Sequence, residues 1–135
     1  MKSRTAFLAA GILALACVGQ VSQAHHSFAA EFDAASKIKL TGTVTKLQWR
    51  NPHTYFFVDI ADEKGVVHNW AFELGSPNVL MRRGWTNESL KAGDTVTVEG
   101  ARARDGSYKA NANSVVLASG KRLFTGTAAE ETPTP

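Results

Sequence analysis

Residues 38–53, IKLTGTVTKLQWRNPH, contain the pattern from which we predict the fold of this chain. Their apolar side chains occupy one face of a strand as far as Val44 and the opposite face from Leu47 onward. Because side chains alternate along a strand, a change of phase inside one strand predicts a bulge or a sharp bend. Asn51-Pro52 then ends the strand in a turn, and His53 follows directly.

The residues after this stretch alternate in the same way and predict further strands. We expect strands over 55–60, 66–72, 95–101 and 113–118, with 121–124 extending the last one. Ser76 and Pro77 have the residue types of a helix N-cap and first helical position, and Gly84 is typical of a helix end. The sequence therefore predicts a short helix between the third and fourth strands.

This order of elements is that of an OB-fold, a small five-stranded Greek-key barrel. We therefore predict a mainly β fold, an OB-like barrel with one short helix between strands 3 and 4. The alternative is another small β-barrel or sandwich in which the helix is incidental. We expect the barrel to occupy residues 38–124, with an N-terminal arm over 25–37 and a disordered tail over 125–135.

The N-terminus has the pattern of a signal peptide. Residues 1–4 are short and basic, and 5–19 are apolar but shorter than the roughly 20 residues of a membrane-spanning helix. Two small residues, Ser22 and Ala24, then occupy the third and last positions before the expected cut. We therefore expect cleavage after Ala24 and a periplasmic or secreted protein without a membrane span. The alternatives are an uncleaved anchor, a buried helix, or a lipoprotein cut before Cys17.

Composition limits what the exported chain can do. Removing 24 of the 135 residues leaves 111, the length of one domain, with 13 basic and 12 acidic side chains. A net charge of +1 without a long basic run argues against a nucleic-acid partner. Cys17, the only cysteine, leaves with the signal segment, so a metal site in the mature protein would need nitrogen and oxygen ligands. The oligomeric state stays open.

Cleavage before His25 would create an unusual chemical group. A free α-amine, with a pKa near 7.7–8.0, would lie beside the imidazole of the same residue, and the two can chelate one metal ion. With one more histidine nitrogen, this forms the three-nitrogen set called a histidine brace, which suits Cu(II). His26 is the alternate ligand. The plain alternative is that both histidines are solvated at a frayed terminus.

Two other histidines could supply the third nitrogen. His53 lies in a turn, where functional residues are common. His68 is in phase with Trp70 and Phe72 and is the weaker candidate, because a histidine on an apolar face is more often a packing residue. A helical arm over 25–37 would favour His68, whereas an extended arm would reach His53.

The sequence contains no recognisable catalytic motif, since Ser76 is not part of a G-x-S-x-G elbow. We therefore expect metal binding, delivery or sensing rather than turnover. The alternative function is a non-metal binding or interaction module of the cell envelope. In that case Trp49, Tyr55 and Trp85 would form its ligand-binding surface.

Several of these motifs occur together in one known family. The chain resembles a family of small exported bacterial proteins known as domain of unknown function 6152. The resemblance covers nearly all of residues 25–124 and rests on His25-His26-Ser27-Phe28, Asn51-Pro52-His53, Trp70, Glu73, Ser76-Pro77, Arg83-Gly84-Trp85, Gly93-Asp94 and Val96. It implies export, a single domain and a recurring motif that includes His25, His26 and His53. The family carries no established activity.

Overall fold

The computed structural model describes residues 28–126, in which β-strands predominate. Residues 28–31 form one helical turn that leads directly into the first strand. The other elements are β1 (Phe32–Gln48), β2 (Tyr55–Ala61), β3 (Val67–Glu73), α1 (Pro77–Arg82), β4 (Thr95–Ala103), β5 (Lys109–Leu117) and β6 (Arg122–Phe124). The predicted signal segment, His25 and His26 lie outside the described residues.

Five of the strands close into a ring. β1 pairs with β2 on one side and with β4 on the other, and β4 continues to β5. β5 returns to β3 through a short parallel pairing in which Ala71–Glu73 match Lys109–Asn111. β2 and β3 form an antiparallel hairpin, so the ring follows the order β1-β2-β3-β5-β4. The mainly β fold is therefore confirmed, and α1 lies between β3 and β4.

β1 is long because it pairs with two strands in succession. Its first part pairs with β4 and its last part with β2, and the register with β2 shifts between Val44 and Lys46. This irregularity lies where the apolar side chains change phase, so the predicted bulge is confirmed. Gly42 lies just before it, where a Cβ atom would overlap the carbonyl oxygen of Asp59. A glycine at this point lets the two strands approach closely.

Both ends of the folded body differ from the prediction. β1 begins at Phe32, inside the segment predicted as an arm, because Phe32 packs with Ala101 and Ala103 in a small second cluster. At the other end, Thr125 is fully buried, and its carbonyl oxygen accepts a hydrogen bond from Gly75 over 3.0 Å. Thr125 therefore belongs to the folded body rather than to the predicted tail, whose residues 127–135 lie outside the described part.

Two further strand bounds also differ. β5 begins at Lys109, four residues before the predicted position 113, because its first residues pair with β3 and close the ring. Residues 122–124 form a separate strand, β6, which pairs back antiparallel on β5 instead of extending it. The reversal occurs at Gly120, whose φ of 86° lies in the left-handed region that glycine tolerates.

The helix forms as its residues predict. The side-chain oxygen of Ser76 accepts a hydrogen bond from the backbone of Val79 over 3.4 Å, and Pro77 occupies the first turn. Leu80 is completely buried and attaches the helix to the ring. Gly84 follows the helix with a φ of 85°. The core inside the ring consists mainly of the inward side chains of the strands, including Val44, Phe56, Val58, Phe72, Val96, Val98 and Val115.

Candidate functional site

His53 lies in the loop between β1 and β2, held against the end of β3. The loop is fixed by two backbone hydrogen bonds, from Thr54 to Gly75 over 3.1 Å and from Leu74 to Thr54 over 2.8 Å. The imidazole is half exposed, and its Nδ1 lies 3.3 Å from the carbonyl oxygen of Leu74 and 3.6 Å from Oε1 of Glu73. Within residues 28–126, Nε2 has no hydrogen-bond partner.

Glu73 connects His53 to the neighbouring strand. It is 8% exposed, and its Oε2 accepts a hydrogen bond from the hydroxyl of Tyr55 over 2.6 Å. Tyr55 and Glu73 are register partners on β2 and β3, which explains their contact. Burial of the phenol and its hydrogen bond to Glu73 raise the pKa of Tyr55 well above its usual range. Tyr55 therefore stays neutral and donates a hydrogen bond to the carboxylate.

Lys109 supplies the positive charge for this group of side chains. Its Nζ lies 4.0 Å from Oε2 of Glu73 and forms an ion pair with Glu31. The same ammonium lies 5.5 Å from the ring centroid of Phe32 and 5.7 Å from that of Tyr55. We call the five residues His53, Tyr55, Glu73, Lys109 and Glu31 the Glu73 cluster.

The Glu73 cluster also holds the N-terminal end of the described chain. Glu31 is the last residue of the helical turn, and Arg104 donates to the carbonyl oxygen of Ala29 over 2.7 Å. The ring of Phe28 lies 5.6 Å from that of Phe32. The helical turn is therefore docked beside Glu73, and residues 25–27 directly precede it in the sequence.

The orientation of His53 fits that of a metal-ligating histidine. Such residues almost always direct one ring nitrogen at a carbonyl or carboxylate and use the other for the metal. Here Nδ1 faces Leu74 and Glu73, which leaves Nε2 available as a ligand. The part of the chain that the structure describes contains no group of three His, Cys, Asp or Glu side chains able to hold a metal ion. A metal bound at His53 would therefore need ligands from outside residues 28–126.

His68 lies at the other end of β3, away from His53. Its Nε2 lies 3.1 Å from Oδ2 of Asp62 and 3.3 Å from the hydroxyl of Tyr108, on whose ring it stacks at 4.1 Å. The hydrogen bond from His68 is the main reason that the pKa of Asp62 is lowered. His68 and Glu73 are five positions apart along the strand, about 17 Å, and His53 lies beside Glu73, so one ion cannot bind both histidines directly.

The helical turn is linked through Lys109 to the Glu73 cluster, which includes His53, whereas the expectation for a helical arm was a position close to His68. The expectation assumed that the chain stays helical up to position 37. Instead, the extended backbone from Phe32 onward carries the helical turn past the end of β4 to Lys109. The contacts of Glu31 and Lys109 therefore associate the arm with the Glu73 cluster.

The three aromatic residues proposed as a ligand surface occupy different environments. Trp85 is 1% exposed, and its Nε1 donates to the carbonyl oxygen of Phe124 over 2.8 Å, so it offers no ring to a ligand. Trp49 is partly buried against the main core. Tyr55 belongs to the Glu73 cluster, where the guanidinium of Arg50 lies 5.5 Å from its ring centroid.

Sequence reasoning predicted His53 as a candidate metal ligand but did not place Glu73 or Lys109 beside it. A signal for Glu73 was present. The turn at residues 62–65 fixes the register of the β2–β3 hairpin and places Glu73 opposite Tyr55. Lys109 had no such signal, because it approaches Glu73 only through the parallel pairing of β3 with β5.

Comparison with known proteins gives one match. A family model described as a family of unknown function (DUF6152) matches residues 12–112. No curated protein and no solved structure matches the chain. Over residues 28–126, none of the helices has the length and apolar character needed to cross a membrane.

Proposed function

This chain belongs to the family of unknown function DUF6152, and from its site we propose that it is an exported, periplasmic protein that binds Cu(II). The ligands would be the amine and imidazole of His25 together with Nε2 of His53, with His26 as the alternate. The expected role is copper binding, delivery or sensing rather than turnover.

The fold that we propose for this function is an OB-like barrel. Two features support it. Five strands close into a ring in which β1 pairs with both β2 and β4, and α1 lies between β3 and β4. OB-folds present ligand sites on their strands and connecting loops. His53 lies in such a loop.

The observation that carries the proposal is the orientation of His53. Its Nδ1 faces the carbonyl oxygen of Leu74 and the carboxylate of Glu73, while Nε2 has no partner among residues 28–126. Glu73 would then be a positioning residue, holding the tautomer in which Nε2 carries the lone pair. The hydrogen bond from Tyr55 in turn holds Glu73 in place.

The position of the helical turn supports His25 as the second ligand. His25 precedes Phe28 by three residues, which span at most about 11 Å when extended. The turn itself is attached to the Glu73 cluster through Glu31 and Lys109. The proposal requires these three residues to bring the amine and imidazole of His25 to Nε2 of His53.

The nitrogen donor set favours copper over other divalent metals. Cu(II) is at the top of the Irving–Williams order and accepts a planar set of amine and imidazole nitrogens. The amine must be deprotonated to bind, so affinity should rise with pH through the range in which an α-amine titrates.

The test is a Cu(II) titration of purified protein that begins at His25, followed by electron paramagnetic resonance. We expect nitrogen hyperfine structure from three nitrogens and at least a tenfold loss of affinity in His53→Ala. Adding one glycine ahead of His25 should cause a similar loss, because it removes the amine from the chelate. His68→Ala is the matched control and should bind copper as the parent does.

Equal affinity in the parent, the glycine-extended protein and His53→Ala would overturn the proposal. Export is tested separately by the mass of the protein recovered from the periplasmic fraction. A mature chain that does not begin at His25 would exclude the proposed ligand set, whatever metal the protein binds.

A further inference from the structure

A second candidate site lies at the end of the ring that carries His68. A cavity of about 390 Å³ opens there, and every strand of the ring contributes to its lining directly or through an adjoining residue. Its lining includes His68, Trp70, Arg102 and Tyr108 together with two acidic residues, Asp62 and Glu63. Cavities of about 300–1,000 Å³ are typical of small-molecule sites, and the mouth of a closed sheet is a common place for them.

Among the described residues, Arg102 is the only lysine or arginine that lines this cavity, and neither of the two acidic residues in the lining forms an ion pair with it. Its guanidinium lies 5.3 Å from the ring centroid of Trp70, and one terminal nitrogen donates to the carbonyl oxygen of Gly106 over 3.1 Å. Nε is buried without a hydrogen-bond partner. Among residues 28–126, no carboxylate lies within 4.0 Å of its nitrogens. A half-buried cation without a counter-charge is costly, and an anionic ligand would offset that cost.

The acidic residue nearest to His68 is already engaged. Oδ1 of Asp62 accepts hydrogen bonds from the backbone of Lys64 and Val66, each over 2.9 Å. Its Oδ2 faces His68. Asp62 therefore organises the β2–β3 turn and the imidazole. Glu63 is exposed in the same turn, and neither carboxylate forms an ion pair with Arg102.

The remaining walls are flat and largely apolar. The rings of His68 and Tyr108 stack, and Tyr108 meets Trp70 edge to face at 5.5 Å between centroids. Tyr108 is 45% exposed even though it packs against both rings. Leu40 and Ile60 complete the apolar lining. Aromatic walls of this kind favour a planar ligand, because rings pack well in offset or edge-to-face contacts.

We propose that this cavity binds a small planar organic anion, with its carboxylate at Arg102 and its ring against Trp70 and Tyr108. The site is separate from the proposed copper site, because His68 and Glu73 lie at opposite ends of β3. It does not depend on the N-terminal histidines.

The test uses 2-naphthoate as the probe and the whole mature protein, with binding followed by calorimetry and by amide and indole NMR shifts. The neutral analogue 2-naphthalenemethanol has the same ring without the charge. We expect 2-naphthoate to bind at least tenfold more tightly than the alcohol and to shift the indole signal of Trp70. Arg102→Met should remove this preference, and Arg102→Lys should keep part of it.

Arg122→Met is the matched control, because Arg122 is half exposed and already pairs with Glu99 over 2.8 Å. This variant should bind the probe as the parent does, and so should His53→Ala. Equal binding of the acid and the alcohol would overturn the proposal, as would shifts confined to another face. Unchanged affinity in a folded Arg102→Met protein would overturn it too.

Discussion

Tyr55 and Glu73 face each other across the β2–β3 hairpin, and the phenol donates a hydrogen bond of 2.6 Å to the carboxylate. Through Glu73 this pair contacts His53 on one side and Lys109 on the other. A single cross-strand contact therefore connects the loop that carries the candidate ligand with the residue that docks the N-terminal helical turn. The properties of Tyr55 should report on the integrity of the whole cluster.

Tyr55→Phe should lower stability and change its response to alkaline pH. Loss of the donor leaves a buried carboxylate oxygen without its partner, which costs about 1–3 kcal/mol at neutral pH. Because burial and Glu73 raise the pKa of Tyr55, its contribution is complete below the unfolded value of 10.0 and decreases as the pH rises above it. The free energy of unfolding, measured with urea between pH 7 and 11, should therefore fall less steeply with rising pH in Tyr55→Phe than in Tyr108→Phe. The same alkaline slope in both variants would contradict the raised pKa of Tyr55.

Lys109→Gln should loosen the helical turn at residues 28–31. The change removes the ion pair with Glu31 and leaves Glu73 without its cation, at a cost of about 1–3 kcal/mol. Hydrogen exchange of the amides in the turn and at the start of β1 should become faster, while the ring strands stay protected. Lys64→Gln, in the exposed β2–β3 turn, is the control and should leave exchange unchanged. Equal protection in both variants would indicate that Phe28 and Arg104 alone hold the turn.

Glu99→Gln should reduce the loss of stability that occurs when the pH is lowered. A hydrogen bond from Arg122 is the main reason that the pKa of Glu99 is lowered, with Lys39 and Ser114 contributing. A lowered pKa means that the contribution is present above the unfolded value of 4.5 and is lost as the pH falls through the folded value. We expect a change of less than about 1 kcal/mol at pH 7, because the pair is partly exposed. Urea unfolding from pH 7 to 3 measures how the free energy of unfolding depends on pH, with Glu63→Gln as the control.

Trp85→Ala should be among the most damaging substitutions in the chain. The ring is 1% exposed, so its removal leaves a cavity and should cost about 3–5 kcal/mol. Trp49→Ala should cost clearly less, because Trp49 is only partly buried at the edge of the core. Equilibrium unfolding monitored by circular dichroism compares the two. A smaller loss of stability in Trp85→Ala than in Trp49→Ala would contradict the placement of Trp85 in the core.

Several local features could be predicted because they depend on residues close together in the chain. The phase change between Val44 and Leu47 predicted the bulge in β1, since alternation records which face each side chain takes. Ser76 and Pro77 predicted the start of α1 for a similarly local reason, because an N-cap acts on backbone groups within its own turn. His53 was predicted as a candidate from its position after Asn51-Pro52.

The surroundings of that histidine depended on the tertiary structure. Alternation does not specify which strands are neighbours, and the parallel pairing of Ala71–Glu73 with Lys109–Asn111 joins segments that are far apart in the sequence. That pairing brings Lys109 to Glu73, and the docked helical turn adds Glu31. The same closure brings Arg102, Trp70 and Tyr108 around a cavity. The approximate positions of most strands, the bend in β1 and the start of α1 could be read from the sequence, since they follow from local alternation and capping. Which charged side chains meet could not, because strand neighbours are selected by burial of the whole core.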